Sequence, residues 1–135
     1  MRNSLAALGF AFCTCLLPMP AFAAAPPITV HDAWIRLLPA DLPLAGYFTL
    51  HNAAPQTIEL LAVTSPAFTR IELHRSSESG GMEHMAAVAR IAIPSGHTLR
   101  FAPGGYHLML WRARALHVGE KVPLTLEFTD GRKIT

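Results

Sequence analysis

Beyond Pro27, turn-forming residues interrupt this chain about every 8–12 positions, and no other feature limits its fold so tightly. Pro39 to Pro43, Asn52 to Pro55, Ser65-Pro66, Gly80-Gly81, Pro94-Ser95-Gly96, Pro103-Gly104-Gly105 and Gly119-Glu120 are the breaks. Between them lie runs too short for helices: Thr29–Arg36, Gly46–His51, Ile58–Thr64, Thr69–His74, Ala86–Ile93, Thr98–Phe101, Tyr106–Trp111 and Pro123–Thr129. Several alternate with period two. Ile71 and Leu73 oppose Arg70, Glu72 and His74; Leu124, Leu126 and Phe128 oppose Thr125, Glu127 and Thr129. Such alternation marks strands with one buried face. The expectation is an all-β, antiparallel sandwich or barrel in a single domain. Only Ala113–Leu116 reads as a single helical turn.

The beginning of the chain bounds where it works. Arg2 is followed by an apolar run from Leu5 to Leu17 and then by Ala21-Phe22-Ala23, the small-x-small pattern read by signal peptidase. The run is too short to span a bilayer. Residues 1–23 are therefore expected to be a cleaved secretory signal, with residues 24–135 as the mature domain and no membrane span within it. Removing the first 23 residues takes Cys13 and Cys15, the two cysteines of the chain. The mature domain then has no disulfide, thiolate nucleophile or thiolate metal ligand. Losing Arg2 leaves ten Lys and Arg against nine Asp and Glu, a balance too even for a nucleic-acid or anionic-membrane partner.

Met82, Met85 and Met109 are the methionines beyond residue 23, and they cluster with histidine. Met82 and Met85 flank His84; Met109 lies two residues after His107. On a strand, positions i and i+2 share a face. His107 and Met109 thus project an imidazole and a thioether together, while Tyr106, Leu108 and Leu110 point the other way. Taken alone, the pair also fits a surface histidine beside a packing methionine. As ligands, neutral nitrogen and soft sulfur suit Cu(I). Zinc favours thiolate, imidazole or carboxylate, and Cu(II) favours more nitrogen and oxygen.

Adding His74 and Met85 gives a longer pattern: His, ten residues, Met, twenty-one residues, His, one residue, Met. With that spacing the chain resembles the periplasmic copper chaperones of the PCu(A)C type. Asp32-Ala33-Trp34-Ile35-Arg36, Leu73-His74 and Pro103-Gly104-Gly105-Tyr106-His107-Leu108-Met109 carry the likeness further, from about Val30 to Thr129. The resemblance implies a cupredoxin-like, Greek-key β-sandwich holding one Cu(I) per chain through His74, Met85, His107 and Met109. It implies a periplasmic, monomeric carrier rather than an enzyme. Expected partners are copper-donating and copper-accepting periplasmic proteins, such as the copper-centre subunit of cytochrome c oxidase or a thioredoxin-like copper-handling protein. Two departures stand out: Arg75 follows the first histidine where methionine is common, and Glu83-His84 occupies a usually Met-rich stretch, so His84 is a competing ligand. Met82 is a candidate spare ligand. The end at Lys133-Ile134-Thr135 lacks a His- and Met-rich tail, and no second, Cu(II) site is expected there.

His31, His51, His97 and His117 share no ligand spacing and read as structural. Trp34 and Trp111 read as core or rim aromatics, with Trp111 on the face of His107 and Met109. A blue-copper carrier would need a thiolate, and neither Gly-x-Ser-x-Gly nor His-Glu-x-x-His occurs. An immunoglobulin-like scaffold without metal, or a copper storage or detoxification protein, are the remaining alternatives.

Overall fold

The computed structural model describes residues 27–135, so the signal segment expected over residues 1–23 lies outside the described residues. Ten strands follow in order: β1 (Ile28–Arg36), β2 (Leu44–Asn52), β3 (Ile58–Thr64), β4 (Phe68–Ser79), β5 (Met82–Ala87), β6 (Ile91–Ile93), β7 (Thr98–Arg100), β8 (Tyr106–Arg112), β9 (Thr125–Phe128) and β10 (Lys133–Ile134). They form two antiparallel sheets. One has the order β1-β2-β8-β4-β5 with β7 beside β2, and the other the order β10-β9-β3-β6. Among the described residues there is no helix, and Ala113–Leu116 bends instead of completing a helical turn.

The sheets close over one apolar core. Leu44, Phe48, Leu50, Leu73, Leu108 and Leu110 from the larger sheet meet Ile58, Leu60, Ile93, Leu126 and Phe128 from the smaller. Asn52 is a buried polar exception whose hydrogen bonds are made. Its Nδ2 donates to the carbonyls of Gln56 and Ile93, both at 2.9 Å, and its Oδ1 accepts from the Ala54 amide at 2.9 Å. It thereby ties the end of β2 to β6 in the facing sheet. At Gly46 a side chain would come within 3.1 Å of Leu110 and 3.2 Å of Leu108, so glycine lets β2 lie close against β8.

Two expected boundaries differ. The run Ala86–Ile93 is not one strand: Ala86 and Ala87 pair with β4, whereas Ile91–Ile93 pairs with β3 in the other sheet. Residues 88–90 carry the chain across the sandwich with no glycine or proline to mark the corner. Arg75–Ser79, beyond the expected run Thr69–His74, continues β4. Gly80 and Gly81, with φ of 63° and 77°, form the two-residue turn into β5, as a tight hairpin turn with both central residues left-handed requires.

Candidate metal centre

Strand β8 runs between β2 and β4, with Leu108 and Leu110 wholly buried in the core. Alternation then sends His107 and Met109 to the outer face of the larger sheet. On β4, Leu73 points inward, so Glu72, His74 and Ser76 take that same outer face. Register completes the arrangement. His74 pairs with His107, and Glu72 with Met109. On the far side of β4, Met85 pairs with Ser76 and Ala87 with His74. Met109 and Met85 are therefore diagonal neighbours of His74 in opposite directions, a separation that long side chains bridge.

The imidazole rings of His74 and His107 lie 5.8 Å apart, centre to centre, tilted by 48°. A metal about 2 Å from a ring nitrogen stands about 3 Å from that ring's centre, so this spacing admits one ion between the rings. Each ring is held by one nitrogen. His107 Nδ1 lies 3.1 Å from the Gly105 carbonyl oxygen, and His74 Nε2 lies 3.0 Å from the Glu72 carboxylate. The opposite nitrogens, His74 Nδ1 and His107 Nε2, are buried without a hydrogen-bond partner. A buried polar atom left unpaired costs about 1–3 kcal/mol, and a ligand would relieve it. The donors present fit Cu(I): two neutral nitrogens and two thioethers, with no thiolate. No group of three or more His, Cys, Asp or Glu placed to hold a metal ion gathers among the described residues.

His107, Met109 and Met85 line one open cavity of about 780 Å³, whose walls include Leu38, Leu42, Tyr47 and Glu83. His74 is not among the residues that line it. His107 is 5% exposed, Met85 54%. Arg112 holds one wall in place, donating from Nη2 to the carbonyls of Leu38, Pro39 and Leu42 at 2.9, 2.8 and 3.2 Å. Trp34, half exposed, packs 4.5 Å from Tyr47, and the Arg36 guanidinium lies over both rings.

Met85 stands on the edge strand β5. Met82 and His84 alternate with it and face the other side of β5, which separates both from His74 and Met109. His51 and His97 make structural contacts, to Thr98 Oγ1 and to the Ser95 carbonyl. Trp111 shares the face of Met109 and packs on Arg70, 3.7 Å from the guanidinium carbon to the ring centre. Sequence reasoning passed over Glu72 and Arg112. The i, i+2 rule sets Glu72 on the face of His74, where the alternation of β4 already put it without a role; nothing local announces Arg112, whose partners lie about 70 residues upstream.

Residues 28–135 match the LpqE-like family, described as a lipoprotein family. The Leifsonia xyli subsp. xyli protein Lxx21020, also named as a lipoprotein, is 32% identical over 136 residues, spanning 96% of this chain and 81% of that protein. The solution structure of CuI-DR1885 from Deinococcus radiodurans is 38% identical with a TM-score of 0.68, covering 83% of this chain and 76% of that one. The copper-bound PCuAC domain from PmoF2 has the same fold, with a TM-score of 0.66 at 21% identity over 83% of this chain and 90% of that domain.

Proposed function

This chain belongs to the LpqE-like family of PCuAC-type copper chaperones, and on that premise we propose that it carries one Cu(I) bound by His74, Met85, His107 and Met109. One observation carries the assignment: two buried imidazole nitrogens without partners belong to paired rings 5.8 Å apart, beside the two thioethers. Ligands so arranged would be neutral, and the site would keep the single positive charge of its cargo.

Exposure supports transfer over storage. Met85 is half open to solvent, so an incoming thiolate can displace it first and take the ion stepwise. Thiolates bind Cu(I) more tightly than thioethers, which gives transfer its direction. The recipients we propose are periplasmic copper-handling proteins, the copper-centre subunit of cytochrome c oxidase or a thioredoxin-like assembly protein. The lipoprotein names of the family and of the Leifsonia relative support an extracytoplasmic setting. Cleavage of residues 1–23 and delivery to the periplasm complete the reading.

The test is a Cu(I) titration of the mature protein against a chromogenic chelator. One equivalent, lost in His107→Ala, is the expected result; no retained copper in the wild type sinks the proposal. Copper that stays on the loaded protein in the presence of excess reduced Cys-containing acceptor would remove the transfer role.

A further inference from the structure

The two histidines of the centre are held through opposite nitrogens. His107 is clamped by backbone: Nδ1 donates to the Gly105 carbonyl, which also accepts the Ser76 amide at 3.0 Å. His74 is held by a side chain, the Glu72 carboxylate at Nε2. An ionised carboxylate only accepts hydrogen bonds, so Nε2 of the neutral His74 ring must carry the proton and Nδ1 the lone pair. That Nδ1 is the buried atom with no partner.

Glu72 is itself held in line. Its other oxygen lies 3.5 Å from Arg70 Nε, and the Arg70 guanidinium packs on Trp111. Register sets the same residues in a column, with Arg70 opposite Trp111, Glu72 opposite Met109 and His74 opposite His107. Rotating the His74 ring to offer Nε2 would break the Glu72 bond.

We propose that Glu72 is a positioning residue for copper, fixing His74 so that Nδ1 meets the ion beside Nε2 of His107. The inference rests on His74 and His107 being ligands, as argued above. Two different nitrogens let rings on directly opposed strands converge on one point from unequal depths. A carboxylate–histidine–metal relay of this kind orients the ring and raises its basicity, and removing such a partner typically lowers metal affinity about 10- to 100-fold.

The experiment uses ¹⁵N-labelled wild type, Glu72→Ala and Glu72→Gln. Long-range ¹H–¹⁵N spectra of the histidine rings are recorded above neutral pH, with and without Cu(I), alongside chelator competition. In the apo wild type, His74 should show a protonated Nε2 and a bare Nδ1. Cu(I) should shift Nδ1 of His74 and Nε2 of His107. Glu72→Ala should lose roughly 10- to 100-fold in affinity and mix the His74 tautomers, and Glu72→Gln, whose amide oxygen accepts the same bond, should recover most of both. Copper shifting Nε2 of His74, or Glu72→Ala matching the wild type in affinity and tautomer, overturns the role of Glu72 while leaving the copper site standing. A wild type that binds no copper, or binds it without any shift at His74, removes the four-ligand reading and this one with it.

Discussion

Strands β8 and β5 each bring a methionine to the proposed centre, and they differ in almost every other respect. β8 runs through the sheet between β2 and β4, with Leu108 and Leu110 wholly buried and His107 nearly so. β5 is an edge ribbon whose six residues are all exposed and which contributes nothing to the apolar core. Its hold on the domain is the backbone ladder to β4. Local opening costs least where few apolar contacts back the hydrogen bonds, so β5 should move before β8 does. The centre is thus half fixed and half yielding. The fixed half orients the ion, and the yielding half gives a recipient its way in.

Substitutions can test that division, beginning beneath β8. Leu110→Ala removes a wholly buried side chain and should destabilise the domain by about 2–5 kcal/mol, read from urea or thermal unfolding. A loss under about 1 kcal/mol would mean that β8 is not the anchored half. His107→Ala removes a ligand from that half. Because loss of a partner behind a ligand already costs about 10- to 100-fold, loss of the ligand itself should exceed 100-fold in Cu(I) affinity.

Acid separates the site from the scaffold. A coordinating imidazole must be neutral, so protons compete with copper for both rings as pH falls, and Cu(I) affinity should drop between pH 7 and 5. The scaffold's titrating ion pairs respond lower. The Arg114 guanidinium holds Glu120 below the ordinary carboxylate range, and Arg132 does the same for Asp130. A carboxylate with a depressed folded pKa stabilises the fold above its unfolded value and loses that contribution only as pH falls through the lower, folded one. Copper binding should therefore weaken as pH falls from 7 to 5 while circular dichroism stays native. Unfolding that tracks copper loss would join what the comparison separates. At neutral pH, Met85→Ala should lower affinity about tenfold, near 1.4 kcal/mol, chiefly through faster release. An effect as large as that of His107→Ala would make the edge strand part of the fixed half.

The sequence made β8 legible because its two faces differ: Leu108 and Leu110 alternate with His107 and Met109, and period two assigns each side. The His and Met spacing was legible for the same reason. Strand continuation through Arg75–Ser79 was not, since the segment holds no apolar residue to alternate with its polar ones. The passage between sheets at residues 88–90 was hidden because apolar residues flank it and no turn residue marks it. Arg112 braces the wall through carbonyls that only the fold brings near, whereas Glu72 lay within reach of a rule already in use.

The smallest expected effect lies one face away from Met85. Met82 is 63% exposed and pairs with Ser79; His84 pairs with Ser77. Both alternate with Met85, which pairs with Ser76 on the side of His74. If the hairpin keeps its two faces distinct, Met82→Ala removes a thioether that never reaches the ion. It should leave Cu(I) affinity unchanged and stability within about 0.5 kcal/mol, as for surface substitutions generally. Measuring Met82→Ala and Met85→Ala side by side makes the contrast internal, since both shorten the same side chain on the same exposed strand. Equal losses in the two variants would mean that β5 twists enough in the loaded state to present both sulfurs, and the yielding half would then be the whole hairpin and not one face of it.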